Sequence, residues 1–423
     1  MITIEFNEKE RAVLAGLDTD RMTFDERSSE SSMEELEALL ETAGGISCGW
    51  VLQSKASPDP RTFLGSGKVA EMKEIIDNEK CDLAVIDNEL SPSQSRALSE
   101  DLGVRVIDRS GLIMDIFAQR AQTREGKLQV ELAQYKYLLP RLTGMWRHLV
   151  SQTGTSSPIG TRGPGETQLE TDRRHIRKRI IKLEGELRSV RKVRASQRKM
   201  RTKNSVPVVA LVGYTNAGKS TLLNTLTGSD IHAENRLFDT LDTTTRRLRV
   251  EEVGEVLFSD TVGFIRKLPH HLLEAFKATL EELSFADILL HVIDVSNPEW
   301  EIQAKIVDGL IEDLDAEKTP RILVFNKSDI YTGEILPHGS GMVRISAKTG
   351  EGVDELLAEI KAVLTAEMKR AVFRIPYDKA GIVEKLHRDG EILEEEYLDS
   401  YIQVKAVVPQ RAYGQLEEFA LRF

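Results

Sequence analysis

Residues 213–220 read Gly-Tyr-Thr-Asn-Ala-Gly-Lys-Ser, follow the apolar run 208–212 and open a helix-like stretch over 220–227. No other junction limits so tightly what this chain can fold into. A buried strand that ends in G-x-x-x-x-G-K-S and turns into a helix is a phosphate cradle. Its glycines let backbone N–H groups face inward, and the helix N-terminus adds the positive end of its dipole. Gly213, Tyr214, Thr215, Asn216, Ala217 and Gly218 make the loop. Lys219 is placed to reach the β- and γ-phosphates, and Ser220 to offer its hydroxyl to Mg²⁺. The bland alternative is an ordinary Gly-rich turn between strand and helix.

Three later motifs argue against that alternative because they follow in a workable order. Asp260, Thr261, Val262 and Gly263 form a D-x-x-G after the strand-like run 255–259. There Asp260 can hold Mg²⁺ through its shell, and the Gly263 N–H can meet a γ-phosphate. Asn326, Lys327, Ser328 and Asp329 close the apolar strand 322–325. A carboxylate only accepts hydrogen bonds, so Asp329 can take the N1–H and 2-amino hydrogens of guanine, a pair adenine lacks. Ser346, Ala347 and Lys348 follow the short strand 342–345 and can present a backbone N–H to guanine O6. Each motif is short and common. In sequence they specify a guanine-nucleotide site.

Composition sets the frame. At 423 residues the chain has room for about two to four domains. With 40% hydrophobic and 30% charged residues it reads as globular. There is no apolar run of about 18 residues, and the first residues lack the pattern of a signal peptide. The two cysteines, Cys48 and Cys81, are far apart and read as buried apolar residues. A reduced, cytoplasmic setting is expected. The net charge of −11 conceals an asymmetry: residues 172–203 hold fourteen Lys/Arg against three acids, a local +11 that leaves −22 elsewhere. An acidic body with one basic arm suggests a polyanionic partner.

The expected architecture is α/β in four parts. Residues 1–112 form a small parallel α/β domain, with strands at 11–17, 47–54, 81–87 and 104–108 and helices at 32–42, 67–78 and 92–101. Gly65 to Lys68 reads there as a turn and N-cap. Residues 113–205 form an antiparallel helical hairpin. Its seams are Leu128, Leu132, Tyr135, Leu139 and Leu142 on one arm, and Ile176, Ile180, Leu183, Leu187 and Val190 on the other. Pro140 should kink the first arm. Residues 151–165 hold twelve Gly, Ser, Thr or Pro in fifteen and read as a flexible tip that orders on a partner. Residues 206–366 form the P-loop domain with a mostly parallel sheet, its strands at 208–212, 249–252, 256–259, 288–294, 321–325 and 342–345. Residues 371–423 form a small α+β domain.

With these motifs the chain resembles the HflX family of translational GTPases over essentially its whole length. The specific marks are residues 163–174 (GPGETQLETDRR), the cradle at 213–220, residues 238–246 (FDTLDTTTR) and residues 260–265 (DTVGFI). The resemblance implies GTP hydrolysis coupled to binding of the large (50S) ribosomal subunit, with proposed roles in splitting or rescuing stalled ribosomes. It implies that the N-terminal domain and its hairpin approach rRNA, which the basic arm and Gly-rich tip fit independently; a monomer is expected. It also implies that Phe238, Asp239, Thr240, Leu241 and Asp242 line the GTP. The family pattern often has Ala at 239 and usually Pro at 243, where this chain has Asp and Thr. A switch hydroxyl for Mg²⁺ can come from Thr240, Thr243, Thr244 or Thr245, and the resemblance favours Thr240. Lys219, Thr240 and Gly263 are then the catalytic set, and Ser220, Thr240 and Asp260 the metal set. After Gly263 stands Phe264, where a Gln would orient the attacking water. Slow intrinsic hydrolysis is therefore expected, with a partner completing the site. Asn216 can offer an amide oxygen to K⁺ beside the phosphates, as in similar Asn-bearing GTPases. The competing reading is a GTP-dependent switch that binds a non-ribosomal protein or RNA through the hairpin.

Overall fold

The computed structural model describes residues 9–22, 27–151, 164–203, 206–228, 237–238, 244–251, 253–268, 272, 280, 283–333, 336–366 and 368–421. It divides into two compact units. One comprises Met1–Val190 with Arg236–Leu241 and Ile265–Phe276; the other comprises Arg191–Asn235, Asp242–Phe264 and Lys277–Phe423.

The first unit is built on a four-stranded sheet in the order β2-β1-β3-β4, from β1 (Arg11–Asp18), β2 (Ile46–Ser54), β3 (Leu83–Ile86) and β4 (Arg105–Asp108). Every pairing is parallel. β1 and β3 lie inside the sheet and are apolar almost end to end, because a parallel strand covered on both faces has no side for water. Helices α1 (Glu30–Thr42), α2 (Ser66–Glu79) and α3 (Pro92–Leu102) are its crossovers. Ser91 begins α3 with a reciprocal capping box to Gln94, and Gly103 ends it in the left-handed region. Gly65 is the N-cap of α2, its N–H held by Gln53 Oε1 at 2.8 Å. Cys81 is buried and Cys48 only half-buried, so the expectation of two buried thiols holds for one. The two are neighbours despite their separation; burial first, then Cys48, pushes the Cys81 thiol up to about 12.

A helix absent from the sequence reading, α4 (Arg109–Arg120), follows β4 directly, so the expected boundary at 112/113 falls inside an element. Its N-cap, Asp108, accepts from the Gly111 N–H at 2.9 Å. Asp108 also takes the Tyr137 hydroxyl at 2.8 Å, Arg141 Nη2 at 2.8 Å and the Leu90 N–H at 3.2 Å. This one buried carboxylate therefore joins the end of the sheet to the hairpin arm α5 (Arg124–Ser151). Asp108→Asn is expected to destabilise the first urea transition by about 2 kcal/mol, since bonds to a charged group each contribute about 1.5–3 kcal/mol. Circular dichroism in urea measures it.

α5 runs as one helix through Pro140. The second arm, α6 (Pro164–Lys203), starts on residues assigned from sequence to the tip; proline is well tolerated in a first helical turn, where its missing N–H has no helical partner to lose. The rest of the tip, 152–163, lies outside the described residues. Leu128, Leu132, Leu183 and Leu187 are buried together, with Tyr135 and Ile180 beside them. Arg179 grips Glu131 with two bonds of 2.8 Å.

The second unit contains a six-stranded sheet, β10-β9-β8-β5-β7-β6. Its strands are β5 (Val208–Gly213), β6 (Thr244–Val250), β7 (Gly254–Asp260), β8 (Ile288–Asp294), β9 (Arg321–Asn326) and β10 (Met342–Arg344). Only β6 pairs antiparallel, to β7. The expected strand at 249–252 is corrected to β6, because 251 and 253 form the turn of a β6–β7 hairpin. Helices α7 (Lys219–Thr227), α8 (Trp300–Asp313) and α9 (Val353–Ala366) belong to the same domain. Residues 368–421 add a three-stranded antiparallel sheet, β11-β13-β12, from β11 (Met368–Pro376), β12 (Glu391–Tyr397) and β13 (Tyr401–Pro409). Its core holds Phe373, Ile375, Val404 and Leu386, the last from α10 (Gly381–Asp389). Among the described residues, no helix is long and apolar enough to cross a membrane.

Candidate nucleotide site

β5 is buried along nearly its whole length and delivers the chain into the cradle at the carboxyl end of the sheet, where ligands of open α/β sheets bind. At Gly213 a Cβ would collide with the Val292 carbonyl of β8, so the loop can start there only without a side chain. Asn216 and Gly218 adopt left-handed backbone, φ 60° and 92°. α7 begins at Lys219 with Gly218 as N-cap, which leaves the first N–H groups of the helix aimed at the loop.

Lys219 is buried, and its Nζ donates to the Gly213 and Tyr214 carbonyls at 3.0 and 2.8 Å. Burial pushes its pKa down to about 8, while the Asp260 carboxylate pulls it back up. Ser220 Oγ donates to Asp260 Oδ2 at 2.7 Å, which brings the two predicted metal ligands of this unit together. A hydroxyl oxygen and a carboxylate oxygen side by side are hard donors that suit Mg²⁺.

The guanine-side motifs converge on the same loop. Asn326 Nδ2 donates to the Ala217 carbonyl at 2.8 Å, and its Oδ1 accepts the Ala347 N–H at 2.9 Å. One side chain thus ties cradle, N-K-S-D turn and S-A-K loop together. Ala347 N–H is engaged by that tie. Lys327 is left-handed (φ 63°) and is fixed by a 2.6 Å bond from Nζ to Asp294 Oδ2. Ser328 N–H donates to the Ile345 carbonyl at 3.1 Å, and Ser346 is fully buried. Asp329 and Lys348 are exposed, so the Asp329 carboxylate is open to a base.

Several predicted residues serve the framework. The Thr261 hydroxyl donates to the Leu211 carbonyl at 2.7 Å, and Val262 is buried. The Phe238 side chain is buried against Phe117 of α4, ring centroids 4.6 Å apart and nearly perpendicular, so its ring is taken up by protein packing. Thr244 and Thr245, two of the four switch threonines, pair with Asp260 and Ser259 as part of β6. Asp239, Thr240, Leu241, Asp242 and Thr243 lie outside the described residues. Sequence reasoning missed Asp294 and the bridging role of Asn326. An acid at the end of an apolar strand, one element before N-K-x-D, was the available signal for Asp294.

Comparison with known proteins agrees with this geometry. Residues 208–327 match the family described as 50S ribosome-binding GTPase. Residues 30–118 match the GTP-binding GTPase N-terminal family, and 120–201 the GTP-binding GTPase middle region. GTPase HflX of Caldanaerobacter subterraneus subsp. tengcongensis is 46% identical over 415 residues, 98% of this chain and 94% of that protein. GTPase HflX of Escherichia coli K12 is 42% identical over 374 residues, 87% of each. A GTP-binding protein of Sulfolobus solfataricus, solved with GDP, aligns over 84% of this chain and 98% of its own at 23% identity and a TM-score of 0.44. With near-full-length identity of this order and a phosphate cradle tied to a guanine loop, the chain belongs to the HflX family of GTPases.

Proposed function

We propose that this GTPase binds the large ribosomal subunit in its GTP state, through rRNA contacts of the hairpin and basic arm, and acts in splitting or rescuing stalled ribosomes. The observation that carries this reading is the match of the nucleotide domain to a 50S ribosome-binding GTPase family. The cations of 172–203 support it, since they lie along a single helix, α6. A protein partner for the hairpin is less well supported: the four seam leucines are buried inside the hairpin itself.

For hydrolysis, Lys219 meets the β/γ-phosphates, whose negative charge favours its ammonium form. Asp329 selects guanine, and the Gly263 N–H is the donor for the γ-phosphate. Ser220 and Asp260, with Thr240, would hold Mg²⁺, which when bound neutralises charge on the phosphates during transfer. Phe264 supplies no polar side chain for the attacking water, so a partner completes the site. Asn216 is exposed, left-handed and at the cradle, as a K⁺ ligand would be. Equal turnover in K⁺ and Na⁺ buffers, unchanged by Asn216→Ala, would remove that role.

Cosedimentation with isolated large subunits is the test. Stronger pelleting is expected with a non-hydrolysable GTP analogue than with GDP. Binding should also weaken steeply with salt, log K falling by about 0.7–0.9 per phosphate contact for each unit of log salt. Replacing Lys192, Arg194 and Arg198 together by Ala should flatten that slope. Pelleting indifferent to nucleotide would reduce the interaction to an incidental basic one.

A further inference from the structure

α7 starts at the phosphate cradle, and Thr225 stands toward its other end. The Thr225 hydroxyl donates to the Ala347 carbonyl at 2.6 Å, across a sequence separation of 122 residues. A helical threonine hydroxyl ordinarily bonds the carbonyl four residues back. That contact exists here too, to Thr221 at 3.0 Å. One hydroxyl has one hydrogen, however, and the Ala347 carbonyl is the nearer acceptor.

The S-A-K loop that receives this bond has its backbone donors almost fully committed. Ser346 N–H donates to the Glu351 carbonyl at 3.0 Å, and Ala347 N–H to Asn326 Oδ1 at 2.9 Å. Thr349 N–H donates to Ser346 Oγ at 3.2 Å, and Gly350 N–H to the Ser346 carbonyl at 2.8 Å. Among the described residues, none accepts the Lys348 N–H. Ser346 and Ala347 are buried, whereas Lys348 is exposed. The spare donor therefore sits where the loop meets solvent.

Ala347 C=O and Lys348 N–H belong to one peptide group. That peptide is trans and planar, so its carbonyl and its N–H point in opposite directions. By drawing the carbonyl toward α7, Thr225 turns the Lys348 N–H away from the helix. Asn326 fixes the other side of Ala347, so the peptide cannot rotate without breaking one of the two bonds.

We infer that the Lys348 N–H is the donor to guanine O6, and that Thr225 is the positioning residue that aims it. The helix that begins under the phosphates thereby also sets the O6 side of the base site, while Asp329 addresses the N1–H and 2-amino side. The inference rests on the guanine-nucleotide reading of the site.

The test is displacement of fluorescent mant-GDP from the full-length protein by GDP, 6-thio-GDP and ADP, for wild type, Thr225→Val, Thr225→Ala and Thr225→Ser. In 6-thio-GDP a sulfur, a weak acceptor, replaces O6 while the groups facing Asp329 remain. Wild type should prefer GDP over 6-thio-GDP by about tenfold. Thr225→Val and Thr225→Ala should lose about five- to tenfold in GDP affinity, one neutral hydrogen bond, and less than about twofold in 6-thio-GDP affinity. Their preference between the two should nearly vanish, and Thr225→Ser, which keeps the hydroxyl, should restore it. Wild-type GDP affinity in a cooperatively melting Val or Ala variant overturns the inference. Equal losses for GDP and 6-thio-GDP overturn it as well, because they make Thr225 a merely structural contact. A wild type that binds GDP and 6-thio-GDP alike, yet still rejects ADP, overturns it while the guanine-nucleotide reading stands. A wild type indifferent between GDP and ADP overturns both.

Discussion

Asp329→Ala is expected to weaken GTP and GDP binding by about 10²–10⁴-fold while leaving the fold intact. Asp329 is exposed at the end of a turn whose shape is set by other residues: left-handed Lys327 anchored to Asp294, and Ser328 bonded to Ile345. Its carboxylate therefore contributes to the ligand and little to the framework. Two charge-assisted bonds to N1–H and the 2-amino group, each about 1.5–3 kcal/mol, account for the range at 1.4 kcal/mol per tenfold. Titration with GTP and ATP measures it. The wild type should separate the two by a similar factor, and the variant should bind both equally poorly. A variant that still prefers GTP by a hundredfold would move base selection away from this residue.

The nucleotide site was legible because its chemistry is local. Each motif sits at the end of an apolar strand, and parallel sheet topology brings strand carboxyl ends together, so the order of motifs along the chain implied their convergence. The first sheet was legible for the same reason, through alternation of apolar runs and amphipathic segments. α4 was not, because it begins immediately after the last residue of β4 with no loop between them; Asp108 ends one element and caps the next. β6 was shifted because 244–248 is rich in Thr and Arg. That composition suits an edge strand with one partner, yet carries no apolar run to mark it.

The second class of omissions is long-range. Nothing near Asp87, Glu35 or Phe117 announces that they meet Lys267, Arg266 and Phe238, more than a hundred positions onward, since these pairs form only once the first unit has been assembled from separated stretches of chain. A buried charge reads in sequence as a surface one. Lys267 looks like a solvated residue after a turn, whereas it is 9% exposed and faces a fully buried carboxylate. Burial alone would raise the Asp87 pKa, but Arg109 and Lys267 outweigh it and hold the group far below the usual carboxylate range. Folded-state ionisation of this kind contributes stability that is present above the unfolded carboxylate pKa and is lost as pH falls below it.

Gly218→Ala should weaken guanine nucleotides by about 10²–10³-fold and bring GTP turnover below detection, although it adds one methyl group. Two effects act together. At φ 92° an alanine is strained, by about 1–3 kcal/mol. The new Cβ would also collide with Asn326 Nδ2, the atom that donates to the Ala217 carbonyl. Asn326 cannot retreat while it accepts the Ala347 N–H, so relieving the collision breaks the bridge between cradle and guanine loop, at about 1 kcal/mol for each bond lost. Phosphate and base contacts would then no longer be made from one rigid frame, and both nucleotides should lose affinity alike. Gly67→Ala is the matched control, for a Cβ there meets nothing within 4 Å. If Gly218→Ala bound mant-GDP within tenfold of wild type, the Asn326 bridge would be ornamental, and alignment of the two loops would have to come from the sheet beneath them.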